Sequence, residues 1–273
     1  MRVLVTGASR GIGRATCLKL ARQAAAQKDT PMEIGPMQIA ACGSRHGDEL
    51  DTLVAELSDL GAETVGLLGD LAEPAVPARL VAEAAAALGG LDAVVSNAGI
   101  TRASSLVALS LDEWDHLFAV NTRACWLLAK AAHPWLKASQ GSFVTVASVA
   151  GVMPQTGLGA YSPTKAALIM LTRLLAQEWA GDGIRVNCVS PGLIHTPMTA
   201  GMYADAGIKA GREALIPLRK IGAAEADIAG AIAFFLGPDA PYCTGQNLVA
   251  DGGLVDSIMA HVPGRVGGGS PRT

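Results

Sequence analysis

Short runs of β-branched and small apolar residues alternate with longer Ala- and Leu-rich stretches of helical period along almost the whole chain, and nothing else in it narrows the choice of fold as far. Such alternation builds βαβ units, and successive units place their strands side by side in a parallel sheet. Strands are expected at 2–6, 38–43, 64–69, 91–96, 142–147, 184–189 and 246–250, and helices at 11–26, 48–60, 75–88, 112–138, 160–180 and 225–236. The uninterrupted apolar runs at 91–95 and 143–147 suit strands covered on both faces. The expectation is an α/β chain with a doubly wound parallel sheet of about seven strands and helices on both faces. At 273 residues, one domain accounts for the length. It would span 1–258. The connection at 26–37, with Lys28, Asp29, Pro31, Gly35 and Pro36, is longer than a helix-to-strand link needs and reads as a surface insertion. The Gly- and Pro-rich segment 259–273 reads as a flexible tail.

Composition removes several classes of function. The formal charge of −3 is spread in mixed sign, with no basic stripe to hold a phosphate backbone, so a nucleic acid partner is not expected. Every apolar run is broken before the eighteen or so residues that a membrane span requires. The five cysteines, Cys17, Cys42, Cys125, Cys188 and Cys243, are far apart and read as small buried apolar residues rather than a zinc or dithiol set. A strand begins at residue 2, leaving no room for a signal peptide, and a cytoplasmic protein is expected.

Between the first strand and the first helix lies Thr6-Gly7-Ala8-Ser9-Arg10-Gly11-Ile12-Gly13. In that context, glycines let the backbone turn sharply and approach a pyrophosphate, while the helix start offers free N–H groups and the positive end of its dipole. This is a Rossmann-type dinucleotide turn. The cofactor follows from the charge beside the adenosine ribose. An acid at the end of the second strand would bind a free 2′-hydroxyl. Here the sequence is Gly43-Ser44-Arg45, and Arg10 and Arg45 suit a 2′-phosphate, so NADP(H) is expected, with Asp48 left as the residue that would serve NAD.

Tyr161 and Lys165, four residues apart at a helix start, share one face. Free tyrosine gives up its proton only near pH ~10, and a neighbouring ammonium favours the phenolate, so the pair is suited to proton exchange with a substrate oxygen.

Taken in order, the motifs resemble the short-chain dehydrogenase/reductase family over residues 2–257. They are the turn at 6–13, Asp70-Leu71, Ser96-Asn97-Ala98-Gly99, Asn121, Ser148, Tyr161 with Lys165, Ser190-Pro191-Gly192 and Asp251-Gly252-Gly253. Ser96 stands where the family usually has asparagine. The resemblance implies a catalytic tetrad. Ser148 holds the carbonyl oxygen, Tyr161 exchanges the proton, Lys165 also bonds the nicotinamide ribose, and Asn121 holds a water linking Lys165 to solvent. It further implies cofactor contacts from Gly7, Ser9, Arg10, Gly11, Ile12 and Gly13; from Ser44 and Arg45; from Asp70 and Leu71 to the adenine; from Asn97, Ala98 and Gly99; from Tyr161 and Lys165; and from Pro191, Gly192, Ile194 and Thr196 at the nicotinamide end. No metal is implied.

A variable segment at about 193–216, including Met198, Met202, Tyr203 and Leu215, would cover the substrate. His195 within it is given a solvent-facing or substrate-lining role rather than a catalytic one. Trp114, Trp126 and Trp135 flank Asn121 on a helix that packs against a second subunit in similar proteins, or else belong to the core, and a dimer or tetramer is expected. The pattern is closest to 3-oxoacyl-(acyl-carrier-protein) reductases, which implies acyl carrier protein as a partner, although Asp182 stands where such relatives carry basic residues. The competing readings are a sugar, polyol, steroid or other small-ketone dehydrogenase, and a cofactor-binding regulator without turnover. Replacing Arg45 by Asp should move the ratio of NADP to NAD efficiency toward NAD by about tenfold or more, as read from kcat/KM with each cofactor.

Overall fold

A computed structural model describes residues 1–26, 36–44, 47–257 and 262. Arg45, most of the expected insertion and nearly all of the expected tail lie outside the described residues. The first half of the chain runs β1 (Arg2–Thr6), α1 (Gly11–Ala26), β2 (Gln38–Gly43), α2 (Gly47–Asp59), β3 (Glu63–Leu68), α3 (Val76–Leu88), β4 (Ala93–Ser96) and α4 (Leu111–Phe118). The second half runs α5 (Ala124–Ser139), β5 (Ser142–Val146), α6 (Tyr161–Trp179), β6 (Arg185–Pro191), β7 (Ile194–His195), α7 (Ala200–Tyr203), α8 (Ala206–Leu215), β8 (Gly222–Ala223), α9 (Ala229–Leu236) and β9 (Asn247–Ala250). Seven strands form one parallel sheet in the order β3-β2-β1-β4-β5-β6-β9. The chain winds outward from β1 in one direction and then from β4 in the other, so the switch point lies between these two strands, where ligands enter open α/β sheets.

Successive side chains of a strand point to opposite faces, and here both faces are covered. Leu4, Val94 and Phe143 join one core, packed against α3, α5 and α6 through residues such as Leu80, Leu128 and Leu168. Val3, Val5, Val95 and Val144 join the other, packed against α1, α2 and α9 through Leu18, Leu53 and Ile232. Cys17, Cys42, Cys125 and Cys188 are free and buried within these layers, as the sequence suggested, while Cys243 is partly exposed. Burial pushes the thiols of Cys17 and Cys125 up to about 12. No helix among the described residues is long and apolar enough to cross a membrane.

Three regions differ from the expected elements; in one of them the helix expected at 225–236 is a π-helical turn, Ala224–Ile228, that leads into α9. The single helix expected at 112–138 is α4 and α5 joined by a wider π-helical turn, Ala119–Arg123. Helix α4 starts in a capping box: Ser110 accepts from the Glu113 N–H, and the Glu113 carboxylate accepts from the Ser110 N–H. Beyond β6 the chain forms a small two-stranded parallel ribbon, β7 with β8, which brackets α7 and α8.

The rear edge of the switch point is fixed by Arg2 and Asp92. The Asp92 carboxylate accepts from the Arg2 N–H at 2.8 Å and from the guanidinium at 2.5 Å, and the Asp92 N–H donates to the Arg2 carbonyl at 2.9 Å. Partial burial pushes the Asp92 carboxyl up, but the hydrogen bonds and charge of Arg2 outweigh it and hold the group below the usual carboxylate range. A depressed carboxyl stabilises the fold fully above its unfolded value of ~3.9, and that contribution is lost as pH falls through the folded value. Asp92→Asn should therefore lower Tm at pH 7 by about 2–4 °C, and the gap to the parent should close in melts recorded below about pH 4.

Candidate active site

The turn after β1 is shaped by what it meets. Gly7 adopts φ +62°, and a Cβ there would stand 2.9 Å from Ala98 Cα. The end of β4 therefore packs directly on the turn, and polar groups stitch the two together. The N–H groups of Asn97 and Ala98 donate to Thr6 Oγ1 at 3.1 and 3.2 Å, and the Asn97 amide donates to the carbonyls of Thr6 and Gly7 at 3.0 and 3.1 Å. Gly13 sits against the same amide, where a Cβ would come within 2.7 Å of Nδ2. The Ala8 N–H donates to the Cys42 carbonyl at 2.8 Å, which ties the turn to the end of β2.

Above these carboxyl ends lies a cleft of about 600 Å³, a typical size for a ligand site. Gly7, Ser9, Arg10, Gly11 and Ile12 form one wall, and Ser44, Asp70 and Leu71 lie beside them. Asn97, Ala98 and Gly99 form its middle, with Tyr161, Lys165 and Thr196 also on the wall. Asp48 is not among the lining residues, whereas the exposed Arg10 is. Gly13, Asn121, Ser148, Pro191, Gly192 and Ile194 are likewise outside the lining set.

The last group still bears on the wall. Asn121 is buried at the centre of the π-helical turn. Its Oδ1 accepts from the Ile100 N–H at 2.8 Å, and its Nδ2 donates to the Ile100 carbonyl at 2.9 Å and to Thr164 Oγ1 at 3.1 Å. Ser148, in extended backbone, accepts the Ala150 N–H at 3.1 Å and so caps a short 3₁₀ turn, Val149–Gly151. That turn lies hard against α6, because a Cβ on Gly151 would come within 2.6 Å of the Lys165 backbone. Pro191 ends β6 and Ile194 begins β7, both buried, and Gly192 packs against Asp251.

Helix α6 carries the remaining pair. Lys165 is only 3% exposed; its Nζ donates to the Val146 carbonyl at 2.9 Å and stands 5.7 Å from the centre of the Tyr161 ring. Among the described residues no carboxylate pairs with it, which is unusual for a buried ammonium. An ammonium has three donors, and two remain for partners in the cleft. A Cβ on Gly99 would lie 3.2 Å from Lys165 Nζ and 3.3 Å from Asn121 Oδ1, so both polar atoms border one narrow gap.

The cleft also has wall residues that sequence reasoning missed: Cys42, Gly69, Ile100, Thr101, His116 and Val120. His116 and Val120 stand four residues apart near the π-helical turn, a spacing that gives no signal until the turn is seen.

A family model described as enoyl-(acyl carrier protein) reductase matches residues 7–255. The chain belongs to the short-chain dehydrogenase/reductase family. The 3-oxoacyl-(acyl-carrier-protein) reductase of Escherichia coli is 36% identical over 253 residues, covering 92% of this chain and 96% of that protein. A solved structure from Sinorhizobium meliloti, assigned as a short-chain alcohol dehydrogenase, superposes with a TM-score of 0.85 at 33% identity, covering 94% of this chain and 97% of the other. A structure from Agrobacterium tumefaciens, assigned as a 2-deoxy-D-gluconate 3-dehydrogenase and holding NADP, gives a TM-score of 0.81 at 32% identity, covering 93% and 96%. These short-chain dehydrogenase/reductase relatives match over nearly their whole lengths.

The stitching at Thr6 is open to test. Thr6→Val keeps the shape but leaves the partly buried N–H groups of Asn97 and Ala98 without their acceptor, at a cost of about 2 kcal/mol. Thermal unfolding should show a Tm about 4–8 °C lower.

Proposed function

We propose that this short-chain dehydrogenase/reductase interconverts a ketone and a secondary alcohol with NADP(H). The observation that carries the reading is a buried, carboxylate-free ammonium, Lys165, set 5.7 Å from the Tyr161 ring on the wall of a cleft that begins at a glycine-rich strand-to-helix turn.

The residues present fit the cofactor. The first turn of α1 offers N–H groups without partners inside the helix, suited to a pyrophosphate. Arg10 and Ser44 line the cleft where Asp48 does not, which favours a 2′-phosphate over a free hydroxyl, and Arg45 is assigned to the same task. Asp70 and Leu71 are assigned to the adenine, and Asn97, Ala98, Gly99, Pro191, Gly192, Ile194 and Thr196 to the remainder. Bound there, NADPH supplies hydride to the carbonyl carbon.

The chain's own groups handle the oxygen and its proton. The Ser148 hydroxyl, already accepting from the Ala150 N–H, keeps its own hydrogen to donate to the substrate oxygen. The Tyr161 hydroxyl gives a proton to that oxygen in reduction and takes one from the alcohol in oxidation. Lys165 stabilises negative charge developing on the phenol oxygen, and its free donors hold ribose hydroxyls. Asn121, bordering the same gap as Lys165, supports a water that returns the proton from solvent.

Within this class we assign a 3-oxoacyl thioester as substrate, supported by the 36% identity to the Escherichia coli reductase. Acyl carrier protein is then its carrier. Asp182, at the end of the Tyr161-bearing helix, is no bare acid there: its carboxylate pairs with Lys137 at 2.7 Å and His133 at 2.8 Å. A second reading, a sugar-acid or other small-ketone dehydrogenase, draws support from the gluconate dehydrogenase neighbour. Exposed Trp126 and Trp135 on α5, with Met170 and Leu174 on α6, favour a homo-oligomer, and a cytoplasmic site is assigned with it.

The test is NADPH oxidation screened over 3-oxoacyl thioesters, sugar acids and cyclic ketones, repeated with Tyr161→Phe. Removal of the hydroxyl should lower kcat by about 10²–10⁴ while leaving NADPH binding intact. Turnover that persists undiminished in that variant overturns the assignment, and saturation by sugar acids but not thioesters selects the second reading.

A further inference from the structure

The segment between β7 and β8 has a fixed root. Thr199 Oγ1 donates to the Ile194 carbonyl at 2.7 Å and accepts from the Thr196 N–H at 3.0 Å. A Cβ on Gly11 would lie 3.7 Å from Thr196 Cβ, so this root stands directly over the glycine turn. Thr196, Pro197 and Met198 form part of the cleft wall. The residues just outside that wall form a group that the proposed chemistry does not use.

His195, exposed and adjacent to Thr196, stacks on Tyr203, with ring centres 6.0 Å apart and planes inclined by 26°. The Arg212 guanidinium lies 5.7 Å from the centre of the same Tyr203 ring. Tyr203 is 7% exposed, and its hydroxyl is buried with no hydrogen-bond partner among the described residues. A buried phenol without a partner is costly and therefore rare in folded proteins, and a ligand group that bonds to it removes the cost.

Arg212 is equally available. The two carboxylates nearest to it in sequence are engaged elsewhere. Glu213 faces Lys209, at 3.9 Å, and the Ile221 N–H, at 3.4 Å, and consecutive helix residues point away from one another. Asp205 accepts the Gly207 and Ile208 N–H groups as the cap of α8. Among the described residues no ion pair involves Arg212. A half-buried guanidinium held over an aromatic face, beside an unbonded phenol and an imidazole, matches the geometry of a carboxylate or phosphate.

We propose that His195, Tyr203 and Arg212 form an anion-recognition site at the mouth of the cleft, and that it selects ketones carrying a carboxylate or phosphate remote from the reacting carbonyl. This rests on the reductase reading above and specifies its substrate class. Arg212 supplies the charge and a planar pair of donors, and the Tyr203 hydroxyl adds one more. Met198, which lines the cleft and is 56% exposed, offers the apolar surface along which the intervening part of such a substrate would lie.

The experiment uses the full chain with saturating NADPH and two pairs of substrates. Acetoacetyl-4′-phosphopantetheine against acetoacetyl-pantetheine isolates phosphate, and a long-chain oxo acid against its methyl ester isolates carboxylate. The expected result is a kcat/KM at least about tenfold higher for the charged member of one pair, expressed in KM, and the pair that shows it names the anion. Arg212→Gln should bring that ratio close to one and Tyr203→Phe should reduce it severalfold, whereas Arg212→Lys should retain part of it. A role in lid packing alone would move both members of a pair together. Equal efficiency within both pairs, or a preference that survives Arg212→Gln, overturns the proposal and leaves the reductase reading standing. If no ketone is consumed, the reductase reading fails by itself. The site is then judged by calorimetric titration of the NADP-loaded protein with the hydroxy acid and its methyl ester: binding of the acid that is lost in Arg212→Gln upholds it, and no binding of the acid overturns it.

Discussion

Two N–H groups sharing one threonine oxygen decide where everything else in this molecule sits. Thr6 ends β1, Asn97 and Ala98 follow β4, and the bonds between them hold the carboxyl ends of the two strands together at the point where the winding of the sheet reverses. A parallel sheet leaves polar backbone at its carboxyl edge, and at a switch point the helices on either side depart in opposite directions. A crevice is therefore unavoidable there. Its depth depends on how closely the two strand ends approach, and the bare Cα of Gly7 against Ala98 sets that approach.

Lys165 shows how the fold can tolerate a charge in such a place. A lysine nearly free of solvent would ordinarily recruit a carboxylate, yet here it has one carbonyl partner and no acid among the described residues. The arrangement is sustained by position. The side chain reaches across from α6 to the end of β5 and stops at the cleft wall, where ligand and solvent can complete its hydrogen bonds. Gly151 makes the reach possible by letting the turn after β5 lie directly on α6.

Much of this was legible in the sequence, and what was missed has a common cause. The strands and the first helix follow from burial period and glycine punctuation, which are local properties, so β1, α1 and β2 fall where the pattern puts them. The turn at 6–13 stands out by its place between β1 and α1, and Tyr161 and Lys165 by their spacing at a helix start, whereas Asp70 and Asn97 come with the family resemblance; the structure sets residues from all of them on one cleft. The π-helical turn around Asn121 was not, because one extra residue in a helical turn leaves an apolar pattern that still reads as helix over 112–138. Its effect is nevertheless large, since it lets the Asn121 amide bond Ile100 and Thr164 together. His116 and Gly151 escaped for a related reason: their importance lies in what crosses from another element, and a single sequence holds no record of that. The ribbon of β7 and β8 was hidden by its brevity, two residues on each side.

The cleft and the segment expected to cover it are joined at one residue. Thr196 belongs to the wall of the cleft, to the root of the cover through Thr199, and to the surface above Gly11. A ligand that settles on the glycine turn therefore meets the same residue that fixes the start of the cover, so occupancy at one end bears on the geometry at the other. The far end of the cover is tied in a similar way, by the Leu218 N–H donating to the Gly252 carbonyl at 3.2 Å and by Gly252 lying close under Ile216. Between these two anchors, α7 and α8 make few buried contacts: Tyr203 is buried in α7, and α8 buries no residue. Segments with so little buried surface are the ones that open at the lowest free energy. With rigid roots and a lightly packed span between them, a change within α7 or α8 need not disturb the sheet or the places at which α6 and β5 hold Tyr161 and Lys165.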